Sequence, residues 1–309
     1  MKQNILIFFK GMAMGAADVV PGVSGGTIAF IMGIYDPLLE SIRRINPSLI
    51  SKWNKEGIYV VWTHINGTFL CSLLAGILTA ILTLAKVVSY ALTEHPIVIW
   101  SFFFGLVIAS TILMIKQVRN WSIIEILLVV TGAVFAYVIT VANPITLEFT
   151  LLAVFFSGLI AICAMILPGI SGSFILLLLG MYVPVLDAVT SFNLPVLGLF
   201  TVGCLIGILS FSHMLSWLLN KFRSLTIAFL TGLLIGASCK IWPWKETIGF
   251  RVNTSGEQIP LPLIEKVLFP AAFETATGQS AQLDIAVPMM VLGFGLVLGL
   301  EKISIKPSD

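Results

Sequence analysis

Two short stretches carry the residue types from which an anion pocket can be built. Pro21-Gly22-Val23-Ser24-Gly25-Gly26-Thr27 and Pro168-Gly169-Ile170-Ser171-Gly172-Ser173 each combine a proline with bare glycines and hydroxyl donors. Pro21 and Pro168 end one helix, and the residues that follow open the next. A half-helix starting there points unsatisfied backbone N–H groups and its positive dipole end at whatever lies beside it. Gly25, Gly26 and Gly172 leave the backbone bare for close approach, while Ser24, Thr27, Ser171 and Ser173 add hydroxyls. Together they can hold a phosphate without a buried Lys or Arg. Proline and glycine also kink and pack helices with no ligand involved, but two matched copies weigh against that plainer reading.

These motifs sit in a chain that cannot be a water-soluble globule. Of its 309 residues 58% are hydrophobic, with 17 basic and 15 acidic side chains and a mean hydropathy of +1.05. A soluble domain carries roughly 25% charged residues, whereas this chain has 10%. A cytosolic enzyme, a secreted module and a disordered tail are excluded; the composition is that of a bilayer protein. No basic patch points to nucleic acid. Cys71, Cys163, Cys204 and Cys239 are scattered singly and read as small buried hydrophobes, not as a disulfide framework or a metal site. No cofactor is implied. The apolar run Ile5–Phe9 is interrupted by Lys10, too early for a signal peptide.

A membrane helix needs about 20 apolar residues. Segments 59–84, 96–115, 122–142, 195–219, 225–241 and 285–301 meet or approach this. Regions 5–42 and 151–186 are instead broken at the two motifs. Ile5–Val20 and Ser24–Ile34 would be about 24 and 16 Å long, against a hydrocarbon core of about 30 Å. Arms that short predict re-entrant hairpins, although two full spans per region would give the same sidedness. With the N-terminus inside, twelve Lys and Arg lie on the cytoplasmic side and five opposite, so both termini are expected in the cytoplasm. Segment 242–284 is then external, with 260–274 expected along the membrane surface.

The broken regions are copies. Gly11, Pro21, Gly22, Ser24, Gly25, Gly33, Tyr35 and Pro37 recur 147 residues later as Gly158, Pro168, Gly169, Ser171, Gly172, Gly180, Tyr182 and Pro184. Gly105 and Gly76 similarly find echoes in Gly232 and Gly207. The predicted fold is an all-α integral membrane protein of two repeats, 1–147 and 148–309, each a re-entrant hairpin plus three spans. Three is odd, so the second repeat must be inverted, an arrangement of secondary transporters.

Asp18 is the one acid in the hairpin arms Ile5–Val20 and Ser24–Ile34, three positions before Pro21, and its counterpart is Met165. An intramembrane acid is a candidate for proton or cation coupling; a salt bridge or a local helix cap is the alternative. Lys10 reads as a snorkelling boundary charge. Lys240, beside Trp242-Pro243-Trp244-Lys245, is a candidate for attracting an anionic headgroup, with an ordinary aromatic belt explaining it nearly as well. His64 and His213 read as packed or hydrogen-bonded residues.

The run Gly11–Thr27, the stretch Leu167–Phe174 and Trp242-Pro-Trp-Lys245 resemble the bacterial polyprenyl-phosphate transporter family, along nearly the whole chain. The resemblance implies a bacterial inner-membrane flippase that returns undecaprenyl phosphate to the cytoplasmic leaflet for reuse in cell-wall synthesis. Many members of that family carry Arg where this chain has Cys239, so the role considered for neighbouring Lys240 departs from the pattern. Its partners would be the lipid and the bilayer, with a homo-oligomer left open. A rival resemblance is to undecaprenyl-pyrophosphate phosphatases, which carry Pro-Gly-x-Ser-Arg-Ser. Here Gly25 and Gly172 stand where those enzymes place a catalytic Arg, and paired glutamates are missing from the hairpins. Phosphoryl transfer needs such charge, so no enzyme is expected. A carrier of a small soluble anion is the third reading.

Overall fold

A computed structural model describes residues 2–20, 23–142, 147–252 and 258–304. The first half runs through α1 (Lys2–Asp18), α2 (Gly25–Ile31), α3 (Tyr35–Arg43), α4 (Ser48–Glu56), α5 (Ile58–His64), α6 (Gly67–Glu94), α7 (Pro96–Gln117) and α8 (Ile123–Val141). The second comprises α9 (Leu151–Ile166), α10 (Gly172–Leu178), α11 (Tyr182–Thr190), α12 (Leu194–Lys221) and α13 (Arg223–Ile241). A two-stranded sheet of β1 (Lys245–Val252) and β2 (Gln258–Val267) follows, then α14 (Pro270–Thr277) and α15 (Leu283–Ser304).

Six helices, α6, α7, α8, α12, α13 and α15, are long and apolar enough to cross a membrane, and the pair α10–α11, bent by 110°, makes a seventh candidate. This is a predominantly helical membrane protein. One departure concerns 59–84. The chain breaks between α5 and α6, where Asn66 adopts a left-handed φ of +56°, so the long helix begins at Gly67. Segment 242–284 departs further. Residues 260–274 fall on β2 and α14, and β1 and β2 pair antiparallel with Lys245 opposite Val267 and Thr247 opposite Glu265.

Element order and packing recur between the halves. α1 packs on α6 as α9 packs on α12, and α8 packs on α13 as α15 packs on α7. Each last helix therefore lies against the other half. The contacts are made by glycine, because lipid offers no hydrophobic drive and close backbone approach is what binds such helices. A Cβ at Gly76 would collide with the Phe8 carbonyl, and one at Gly207 with that of Leu159; Gly105 and Gly232 meet Met290 and Val129 in the same way. α7 and α13 form the centre, each with 61% of its span buried, against 17–28% for the others. Ile227, Leu230, Leu233 and Leu234 of α13 are fully enclosed.

The α2–α3 and α10–α11 turns each use a matched glycine. Gly33 and Gly180 adopt φ of +66° and +71°, a left-handed geometry that side chains resist. Cys71 is exposed and the other three cysteines are half-buried, so none of the four is the fully buried residue its apolar surroundings suggest.

Candidate functional site

The tips of the two hairpins meet. Ser24 caps α2 by accepting from the Gly26 N–H at 3.1 Å. Its hydroxyl also lies 3.1 Å from the carbonyls of Met165 and of Leu167, at the end of α9. Those carbonyls are left over because α9 stops at Ile166, where Leu167 turns extended ahead of Pro168. Thr27 Oγ1 accepts from the Gly169 N–H at 3.0 Å, and the Tyr35 hydroxyl donates to the Ile166 carbonyl at 3.2 Å. A Cβ at Gly26 would strike that same carbonyl. Ser24, Thr27 and Tyr35 are all buried.

Asp18 Oδ1 accepts from the Gly25 N–H at 2.7 Å, so a carboxylate stands at the positive end of α2. Lys10, expected to snorkel, instead donates to the Met32 carbonyl at 2.7 Å, at the opposite end of the same half-helix. α1 thereby supplies both charges that a helix dipole favours. The second hairpin differs. Ser171 makes no side-chain cap to α10; its hydroxyl pairs with that of Ser173 at 2.8 Å, and Gly172 packs on the Ala161 carbonyl. The residues equivalent to Asp18 and Lys10 are Met165 and Ser157. Pro168 and Gly169 are buried in the α9–α10 break, with Gly169 at φ +89°. Pro21 and Gly22 lie outside the described residues.

An apolar cavity of about 510 Å³ lies between α8, α12 and α13. Leu128, Phe135, Phe211, Met214, Leu218 and Phe229 line it, Thr226 is its one polar liner, and Leu167 reaches it from the hairpin tip. Position along the chain gave no sign of this space, because it forms between helices of different halves.

Lys240 sits apart from the tips but is joined to the second hairpin, its Nζ 5.1 Å from the centre of the Phe174 ring. It also forms an ion pair of 2.6 Å with Glu265 of β2. Lys245, whose Nζ lies 3.9 Å from the centre of the Trp100 ring, reaches the same carboxylate at 3.3 Å and donates to the Lys240 carbonyl at 2.9 Å. Burial, with Lys240 adding to it, lowers Lys245 to about 8 against the pull of Glu265. Burial alone would raise Glu265; Lys245 and Lys240 outweigh it and hold the carboxyl below the usual range. Trp242 and Trp244 donate to the carbonyls of Leu268 and Ala281 at 2.8 and 2.9 Å, fastening the strands to the helices. Sequence reasoning passed over Glu265, since only strand pairing brings it to the lysines.

Over residues 14–259 the chain matches the family described as VCA0040-like, undecaprenyl phosphate translocase-like. It is 59% identical over 295 residues to the polyprenyl-phosphate transporter of Vibrio cholerae serotype O1, covering 96% of this chain and 95% of that protein. It is 32% identical over 262 residues to the polyprenyl-phosphate transporter of Staphylococcus aureus, covering 79% and 87% respectively. No solved structure matches the chain. With such identity sustained along nearly the whole length, and the family match running through both hairpins, the chain belongs to the undecaprenyl phosphate translocase-like family.

Proposed function

We propose that the protein carries undecaprenyl phosphate from the outer to the cytoplasmic leaflet of the bacterial inner membrane, for reuse in envelope synthesis. The observation that carries this reading is the apolar cavity whose inner wall includes Leu167, a residue that also accepts a hydrogen bond from Ser24 at the polar interlock. An amphiphile with a phosphate at one end fits such a junction, whereas a small soluble anion has no use for the apolar side. The relatives' names support the same substrate class.

The phosphate, with about −1.5 to −2 charges, must be shielded on its way. Even one charge at the bilayer centre costs at least about 2.5–3.5 kcal/mol. In this reading Ser171, Gly172 and Ser173 receive the headgroup at the α10 end, which has no acid of its own. Ser24, Gly25, Gly26 and Thr27 receive it at the α2 end once Asp18 has let go of Gly25. Release of Asp18 on protonation, or to a cation, would couple transport to an ion. Pro21, Gly22, Pro168 and Gly169 set the breaks. The halves are inverted repeats with re-entrant hairpins, rocking gives alternating access, and both termini face the cytoplasm, as the distribution of Lys and Arg favours. The protein is a carrier, not an enzyme: Gly25 and Gly172 leave no cation beside the serines to stabilise a phosphoryl transition state.

Liposomes carrying undecaprenyl phosphate and the purified protein test this, with headgroup accessibility and free phosphate followed together. Protein-dependent movement between leaflets without phosphate release is expected, and is lost on combined substitution of Ser24, Gly25 and Gly26 in a protein that still inserts. Phosphate release would mean an enzyme; neither movement nor release would leave the soluble-anion reading.

A further inference from the structure

The ion cluster at the end of α13 is unbalanced. Two ammonium groups, Lys240 and Lys245, share the single carboxylate of Glu265, and the three side chains are only 19%, 6% and 14% exposed. Glu246 and Lys266, opposite each other in the strand register, belong by strand alternation to the other face and cancel one another. Among the described residues one positive charge is therefore left uncompensated in a mostly enclosed place. The ring faces of Trp100 and Phe174 offset part of it. A clamp for β2 would need one lysine; the second is surplus to that task. Burial is the main cause of the lowered proton affinity of Lys245, with Lys240 adding to it and Glu265 opposing it.

We propose that Lys240 and Lys245 form a binding site for a phosphate monoester, which Glu265 occupies as a built-in counter-anion and from which the ligand displaces it. A phosphate near −2 would neutralise both lysines, where Glu265 neutralises one, and it offers three acceptor oxygens to their donors. Phe174 directly follows Ser173, so the site adjoins the second hairpin, the next stop in the transport reading. This deepens that reading and rests on it, adding the place where the headgroup docks and the group it must displace.

The test is binding to the full-length protein in nanodiscs, with farnesyl phosphate, farnesol and inorganic phosphate as probes. Glu265→Gln removes the competing anion and keeps the side-chain shape. It is expected to tighten farnesyl phosphate binding about tenfold, a modest share of a charge–charge contact at this range, leave farnesol unchanged, and lose the gain when Lys245→Gln is added. Equal tightening of inorganic phosphate would identify free phosphate as sufficient ligand, and tightening of farnesyl phosphate alone a lipid headgroup; either supports the site. Unchanged or weaker farnesyl phosphate binding in a folded Glu265→Gln protein overturns it and leaves a structural clamp. Should that variant not fold, Glu265→Asp, which shortens the reach to the lysines, is expected to tighten binding about threefold, and failure to do so counts equally against the site. The wild-type leaflet assay, run in parallel, separates the two ideas: no translocation sinks the transport reading, whereas translocation with an unmoved Glu265→Gln affinity sinks only this site.

Discussion

Asp18 reaches across the break that follows α1 and accepts a hydrogen bond from the Gly25 backbone N–H at 2.7 Å. The first half-helix thus has a carboxylate on a backbone donor at its N-terminal end, and Lys10 serves its other end. The second half-helix has neither partner, Met165 and Ser157 standing in their places. Two sequence copies have become electrostatically different sites.

Asp18→Asn should keep the packing and lose the charge. Loss of a charge-assisted bond at a helix start costs about 1–2 kcal/mol of stability, visible as a modest drop in melting temperature. Transport is expected to fall at least about tenfold and to lose its pH dependence, the size of effect that abolishing an ion-coupled step implies. Normal transport with an unchanged pH profile would remove Asp18 from coupling.

Gly26→Ala tests the interlock. The added methyl group would strike the Ile166 carbonyl, which is backbone and cannot swing aside. Overpacking of this kind costs about 1–3 kcal/mol. Gly198 on α12 faces open space, and Gly198→Ala should be neutral or slightly stabilising. Thermal unfolding of both variants measures the difference; equal melting temperatures would mean the tips do not need their close contact.

Leu218→Trp fills part of the apolar cavity. Its effect should depend on tail length: movement of undecaprenyl phosphate is expected to slow about tenfold or more, a barrier rise of about 1.4 kcal/mol, while a short-chain prenyl phosphate moves nearly normally. Equal slowing of both lipids would argue that the cavity does not hold the prenyl chain.

Lys245 gives a pH signature. Its folded value near 8 is lowered, so the group is charged below that pH and neutral above it. Lys240 and Glu265 are the charged groups that face it, and the two lysines hold the Glu265 carboxyl below its usual range. Farnesyl phosphate affinity should therefore decline as pH rises through about 8 towards the ordinary lysine value. Lys245→Arg, which stays charged, should flatten the decline; a decline that persists in this variant would assign it elsewhere.

How much was legible beforehand depends on the range of the interactions involved. Membrane residence follows from composition alone, because too few polar groups are present to cover a soluble surface. The breaks at Ser24 and Ser171 are local chemistry, proline and glycine acting on their own backbone, and α2 and α10 start within one residue of them. The matched glycines could be read as pairs because packing on the partner helix demands a small residue wherever it sits. The turn at Asn66 left a weaker mark, since an apolar run reads the same whether or not one residue turns left-handed.

What the sequence by itself determined is therefore the bilayer, the long apolar helices, the paired breaks and the residue types at them. The tertiary structure alone decided who meets whom: Ser24 with Leu167, Thr27 with Gly169, Lys240 with Glu265. It also gave the Gly25 N–H, the first donor of the half-helix α2, to Asp18. These contacts join residues 7 to 143 positions apart, and hydrophobic periodicity carries no information on such pairings. They are set when helices of opposite halves pack and strand register carries a distant carboxylate to two lysines.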